Sequence, residues 1–516
     1  MPRTLTNNFG LSFVNETALG TPDTTNWKRL EPNALSTFGA TITTVPRAPL
    51  SPNRQALKGS VTDLDSAVSF TADATRDSVR DFAEALVFAT GINTDVSNLA
   101  TTAAATTADE YSVAALTAAQ ADKFEIDTLI YISGYTSSAN NGLKVVDADI
   151  ATAATEISVV ENLVDETAPA SARLSFAGYQ ISAATSVTWT WNGSTKQATL
   201  NATGKGTVLS ALGLTPGQIV HIGSQTAAGV SQRAFENLAA NDMFGHCRVV
   251  SISTDDVIFD DVDAALQFTD GTDPATAVDI LFGEFFRNVE TTDSEFLERS
   301  VHFEGQFIGL DTGGANMYQY AKGNFLNTVG FDLPLTNKSE ITFDFIGTDT
   351  ENPVSAGSRK TGASAAVTPV TTTAFNTSAD IARLRIAETD DDGITTDFKS
   401  LNLSITNNVS PEKVLGTLGA KFMNAGNFGV TVTAQLVFTN AEVINKIRAN
   451  ETVRMTFVIK NDNGTVAVNI PSMTLGDGSL NLPVNESILI NTTGTAFKDA
   501  TLNTSIGLSV SPTPLL

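Results

Sequence analysis

The side chains best suited to holding a metal in this 516-residue chain are His221, His246 and Cys247. Imidazole nitrogen and thiolate sulfur are the donors zinc prefers. Adjacent residues of a strand point to opposite faces, however, so His246 and Cys247 are badly placed to share one ion. Asp311, Thr312 and Gly313, after Gly309 and Leu310, match the short signature of aspartic proteases. That chemistry needs two carboxylates sharing a proton. The triplet occurs once, and the corresponding later stretch has Asn463-Gly464, so a hairpin turn is expected. Asp390, Asp391, Asp392 and Gly393 offer oxygens suited to calcium but lack the spacing and closing glutamate of an EF-hand loop, which favours a solvated turn. Gly204-Lys205-Gly206 is too short to cradle a phosphate, and no Gly-x-Ser-x-Gly elbow with partners is evident. No acid, base, nucleophile and metal set assembles. The expectation is a structural chain, not an enzyme, with no cofactor and no catalytic or metal-binding residues.

Composition narrows the partners. A chain of this length outgrows one core, so roughly two to four domains are expected. One cysteine excludes an internal disulfide and leaves stability to packing and association. Lys and Arg total 31 against 56 Asp and Glu, a formal charge of −25. Proteins that grip nucleic acid draw affinity from clustered cations, so this chain suits letting DNA pass better than holding it. No apolar run approaches the roughly 20 residues that cross a bilayer. The polar start, Met1 to Gly10, lacks the apolar core of an export signal, so a soluble chain without membrane contact is expected.

The elements are mostly short strands. Residues 1–50 suggest an arm with extended pieces at Phe9 to Phe13 and Ile42 to Val45. Pro46, Pro49 and Pro52 then keep the chain out of a central strand. From Gly59 to Ala72, alternating residues suggest two strands joined around Leu64 to Ser66. A helix should follow, capped by Thr75, with Val79, Phe82, Ala83 and Leu86 on one face and Gly91 as its left-handed stop. Ala100 to Ala121 is low in complexity and marks a boundary. Two small β domains are expected at 101–178 and 179–284, with turns at Asn140-Asn141-Gly142 and Asn192-Gly193. Asp349 to Asp380 is a long loop, expected to be either mobile or ordered by a partner.

One folding unit occurs twice. Ser51-Pro52-Asn53-Arg54, Gly59, Thr71-Ala72, Val79, Leu333-Pro334-Leu335 and Gly347-Thr348 recur in order as Ser410-Pro411-Glu412-Lys413, Gly419, Thr433-Ala434, Val443, Leu482-Pro483-Val484 and Gly494-Thr495. In the second copy Asn440 caps the helix, Val443, Ile444 and Ile447 form its stripe, and Asn450 ends it. The expected layout is copy 1 at 51–100 and 285–349, split by the inserts, an inter-repeat loop at 350–396, and copy 2 at 397–516.

Laid out this way, the chain resembles the tail tube (major tail) proteins of bacteriophages with long, non-contractile tails. The likeness rests on NRQALKGSVTDLDSAVSFTADATRDSVRDFAEALVF (53–88), on Leu401 to Ile490 with its LSITNNVSPEKVLGTLGA, and on IYISGYTSSANNGLKVV and GLTPGQIVHIG in the inserts. The resemblance implies a mainly β chain. It would have two tandem β-sandwich or barrel domains, each with a flanking helix, plus outward-projecting all-β inserts. Strands of neighbouring copies would join into rings that stack as the conduit for the genome. Two domains per chain then predict three chains per ring with pseudo-sixfold symmetry. Partners would be the chain itself, the tail terminator, distal tail and tape measure proteins, and passing double-stranded DNA. The location would be the virion tail, after assembly in the host cytoplasm. The hairpins Gly59 to Ala72 and Gly419 to Ala434 become candidates for the channel wall, with Asp63, Asp65, Asn424 and Asn427 facing the lumen. Acidic β-modular adhesins or surface-layer proteins, capsid or decoration proteins, and an aspartic-type hydrolase using Asp311 are the competing readings.

Overall fold

Alternating apolar residues and short helical stripes place the elements. In the computed structural model the described residues are 8–47, 57–181, 187–225, 231–232, 245–269, 278–366, 372–387, 393–395, 397–439 and 441–513. The chain is mainly β, with several sheets. Its first series of elements is β1 (Phe9–Ala18), β2 (Ala34–Arg47), β3 (Leu57–Asp73), α1 (Arg76–Val87), β4 (Ser300–Phe307), β5 (Met317–Leu333) and β6 (Glu340–Gly347). The second is β7 (Ile381–Ala387), β8 (Phe398–Thr406), β9 (Gly429–Val437), α2 (Glu442–Ala449), β10 (Thr452–Asn461), β11 (Gly464–Asn481) and β12 (Leu489–Ala496), followed by β13 (Gly507–Ser511). Contacts divide the chain into unit 1 (Met1–Ala89, Val289–Thr377 and Lys399–Gln435) and unit 2 (Thr90–Asn288, Ser378–Phe398 and Leu436–Leu516).

In unit 1 the ladders run β2 to β3, β3 to β6, β6 to β5, β5 to β4 and β4 to β1, all antiparallel. Thr75 caps α1 by accepting from the Ser78 amide, while the Ser78 hydroxyl closes a capping box on Thr75. The helix buries Val79, Phe82, Ala83 and Leu86. Phe82 sits 4.8 Å from Phe343 and 4.7 Å from Phe13 between ring centroids, so helix and strands share an aromatic core with Phe70, Phe303 and Phe345. β8 also belongs here from Lys399 on, laddered to the second half of β5.

Unit 2 repeats the order. β7 pairs with β10, β10 with β11, and β11 with β12 and β13. The end of β9 leads into α2, where the Phe438 amide donates to the Ile488 carbonyl. At the same place in unit 1 the Ala74 amide donates to Ser339. Leu333-Pro334-Leu335 and Leu482-Pro483-Val484 thereby fall at corresponding turns, β5 to β6 and β11 to β12.

Several expectations change. Residues 9–47 are not an arm over a surface, because Leu11, Phe13 and Val14 are buried in β1 and β2 is a full ladder partner of β3. Gly59 to Ala72 is not two strands: β3 runs unbroken from Leu57 to Asp73, and Asp63 to Ser66 keep their partners on β2. Gly419 to Ala434 is likewise no self-paired hairpin, since its strand Phe422–Asn424 pairs back to Ser410–Glu412. The stop of α1 is Phe88, at φ 47°. Gly91 serves a close approach instead, as a Cβ there would lie 2.3 Å from the Phe286 ring. Asn450 does end α2 in the left-handed region, and Ala441 occupies the cap position. Asn440, Pro49, Pro52 and the landmark Ser51 to Arg54 lie outside the described residues.

The inserts differ most. Ala100 to Ala121 is no empty boundary but forms the hairpin Leu99–Ala105 with Glu110–Val113 and a short helix, Ala118–Ala121. The two separate inserts expected at 101–178 and 179–284 share one sheet. Arg173–Ile181, which straddles that boundary, pairs with both Thr128–Ser133 and Val278–Leu281. One apolar cluster runs through both halves, from Val96 to Phe282. The long loop after β6 carries short strands at Asp349–Thr350 and Val354–Ser355 that continue along β5.

The segment Lys399–Gln435 is fastened in unit 1 by Asn407, whose buried Nδ2 donates to the Leu86 carbonyl at 3.0 Å and the Leu326 carbonyl at 2.9 Å. Asn407→Ala strands both carbonyls. The expected loss is about 1–3 kcal/mol, read from the denaturant midpoint of the full chain.

Candidate functional site

The metal candidates are brought together only in part. Strands Ile219–Ile222 and Gly245–Ile252 set His221 directly across from His246, with ring centroids 5.0 Å apart. Cys247 points the other way, into the apolar core of the insert. Among the described residues no group of three His, Cys, Asp or Glu side chains is arranged to hold a metal. Burial pushes His221 down to about 3 and holds His246 below its ordinary value, so both rings are neutral at pH 7. Asp311 sits in the β4–β5 turn, its amide donating to Ala315 and its carbonyl accepting from Gly314. Lys205 donates to the Tyr179 hydroxyl at 2.6 Å. Asp390 to Asp392 lie outside the described residues.

What sequence reasoning missed is a buried ionic cluster in unit 2. Arg248 forks onto Asp260 through Nε at 2.8 Å and Nη2 at 2.6 Å, and Arg454 reaches the same carboxylate at 3.0 Å. Arg383 contacts Asp261 at 2.6 Å and Asp263 at 2.8 Å, and Thr456 donates to Asp261 at 2.6 Å. Burial alone would raise the Asp261 carboxyl. The cations Arg383, Arg454 and Arg385, with the Thr456 bond, outweigh it and hold the group well below the usual carboxylate range. The cluster joins the insert to β7 and β10. Its signal in the sequence was the Arg383-x-Arg385 alternation, which puts two cations on one face of a strand, beside the acidic run Asp260-Asp261-x-Asp263.

Unit 1 holds a smaller version. Glu16 is fully buried and accepts from His302 at 2.9 Å, Ser300 at 2.7 Å, Gly323 at 2.8 Å and Gly20 at 2.7 Å. Burial raises its pKa, but those bonds together prevail and keep it ionised. The carboxylate thereby ties β1 to β4 and β5.

Of the four residues expected on a channel wall, Asp63 and Asp65 lie on β3. Lys413 bridges them, its Nζ 2.6 Å from each carboxylate. Their local charge is thus half-compensated. The Lys413 bond lowers the Asp63 pKa and the same pair raises that of Lys413. Asn424 and Asn427 are exposed on the excursion that carries Lys413. Asn424 donates to Glu412 at 3.2 Å, and the Asn427 carbonyl accepts from Asn408 at 2.7 Å.

Two strand edges are further features able to act on a partner. Apart from its ladder to β3, β2 carries no ladder on its other edge among the described residues, and it is largely exposed. The end of β11 extends past β10 with Leu480 and Leu482 exposed. Open edges of this kind invite pairing with another chain. No helix among the described residues is long and apolar enough to cross a membrane.

Residues 260–501, somewhat under half of the chain, match the family model described as phage tail tube protein. No curated protein matches the chain. The family match supports a structural phage tail protein, located in the virion tail, that associates with itself and with other tail components, and it speaks for a non-enzymatic role.

Proposed function

We propose that this chain polymerises as stacked rings to form the tail tube of a bacteriophage with a long, non-contractile tail, and that the genome travels through it into the host. The observation that carries the reading is the module repeated in one chain, each copy built of the same ladders around a flanking helix, with strand edges left over. A closed ring removes such edges without a second kind of protein. With two modules per chain, three chains complete a pseudo-sixfold ring. Rings then stack, and tail terminator, distal tail and tape measure proteins meet the ends and the lumen, while assembly takes place in the host cytoplasm. The excess of acidic residues gives the channel a sign that repels phosphates within a Debye length of about 8 Å, so DNA slides without adhering. Asp63, Asp65, Asn424 and Asn427 are the residues proposed to face that lumen.

Electron microscopy of the purified full chain tests this. Rings or tubes with three chains per ring, and these four residues lining the axis of the reconstruction, are the expected result. Six chains per ring would leave the duplication without its assigned purpose, and a chain that never assembles would remove the tube altogether.

A further inference from the structure

Unit 1 contains one strand pairing that has no counterpart in unit 2. Along one edge of β5, β4 covers Met317 to Phe325 and β8 covers the rest, with Val329, Phe331 and Leu333 opposite Ile405, Leu403 and Leu401. All six side chains are buried. The counterpart of β5 is β11. Its turn to β12 pairs Asn481 with Leu489 and Leu480 with Ile490, where β5 and β6 pair Asp332 with Glu340 and Phe331 with Ile341. Both loops therefore have the same length, and Leu480 and Leu482 stand where Phe331 and Leu333 stand. β10 covers β11 up to Thr474, as β4 covers β5. Beyond it no strand of unit 2 lies on that edge among the described residues, and Leu480 and Leu482 are 45% and 66% exposed. Their counterparts Phe331 and Leu333 are 6% and 4% exposed.

The strand that β11 lacks is the equivalent of β8. In the first module that equivalent is β2: each is laddered to the strand that leads into the helix, β8 to β9 and β2 to β3. The alternation agrees, Leu401, Leu403 and Ile405 answering to Leu35, Phe38 and Ala40 once the irregularity between Leu35 and Thr37 is allowed for. We infer that β2 of one chain pairs antiparallel with residues 477–482, the end of β11 and the residue after it, in a second copy, laying Leu35 to Ala40 against Leu480 and Leu482. The contact rests on the tail-tube reading and specifies its joint. It is head-to-tail, so repetition closes a ring, and it fills two open backbone edges while covering the exposed leucines.

Cysteine pairing reads the register directly, and the native Cys247 is buried and does not compete. In the full chain, Thr37→Cys and Asn481→Cys are made as separate variants and combined. On oxidation, a mixture of the two single variants is expected to give a disulfide-linked dimer that neither gives alone, and the double variant a closed cross-linked oligomer. A second variant, Leu480→Asp with Leu482→Asp, changes side chains already exposed in the single chain. It is expected to keep the wild-type melting curve and to elute as monomer. Rings that form without the cross-link, or that link through Thr43→Cys with Asn481→Cys, overturn this pairing and leave the tube intact. A wild-type chain that stays monomeric overturns both.

Discussion

Asp261→Asn is expected to weaken unit 2 by about 3–5 kcal/mol, the usual cost of taking one partner out of a buried ion cluster. The substitution keeps the side chain's size and removes only its charge. Asp261 is 1% exposed, and Arg383, Arg385 and Arg454 all converge on it. Without that carboxylate Arg383 keeps Asp263 and Arg454 keeps Asp260, but the three guanidiniums lose the buried anion they share. A loss of that size is a large share of the roughly 5–15 kcal/mol that holds a domain folded. The ion pair Lys446 to Glu451 supplies the comparison, because the Glu451 side chain is 48% exposed. Lys446→Gln is expected to cost less than about 1 kcal/mol. Since a chain of this size need not unfold in one step, hydrogen exchange of the β10 amides is the suitable measurement. Equal protection in Asp261→Asn and wild type would show that the cluster contributes nothing to holding insert and strand together.

The elements legible in the sequence were those whose signal is local. The Thr75 cap, the stripe Val79 to Leu86 and the left-handed Asn450 each depend on a few neighbouring residues, and each stands where expected. The proposed duplication was read from the order of its landmarks, and Thr433-Ala434 was matched to Thr71-Ala72 two residues away from the spacing that the Phe438 and Ala74 bonds define. Two residues is one full period of a strand, so the faces still agreed.

Long-range pairing was less legible. β3 was divided at Leu64 to Ser66 because Asp63 and Asp65 look like turn residues, yet on a strand whose far end is exposed they cost little and find Lys413. The inserts were split at 178/179 because nothing local announces that Arg173–Ile181 has partners almost 50 residues before and 100 residues after it. The ionic cluster escaped for the same reason. Asp260, Arg383 and Arg454 are separated by long stretches of chain, and only the fold makes them neighbours. Chemistry spread this way is invisible to a search for motifs, and here it ties the insert to β7 and β10.

Acid should loosen unit 2 before Asp261 and Asp263 titrate. His221 is held neutral, its pKa brought down to about 3 by burial first and by neighbouring His246 second. His246 is lowered by burial as well, with Arg383 and Lys460 adding to it and Asp263 opposing it. An unfolded histidine titrates near pH 6.5, so between that value and the folded one the unfolded chain binds the proton and the native chain does not. Stability must then fall as pH falls, by about 1.4 kcal/mol per pH unit for each histidine still neutral in the fold. At pH 4.5 His221 alone accounts for roughly 2–3 kcal/mol relative to pH 7. The lowered carboxylates Asp261 and Asp263 work in a separate window, since their stabilisation persists above the unfolded value near 3.8 and disappears only below it. Denaturant midpoints of the full chain at pH 7, 5.5 and 4.5 give the slope. His221→Gln, which cannot take up a proton at this position, should flatten that slope. A variant with the wild-type slope would mean that His221 is already protonated in the native state, and with it would go the claim that this histidine pair is buried neutral.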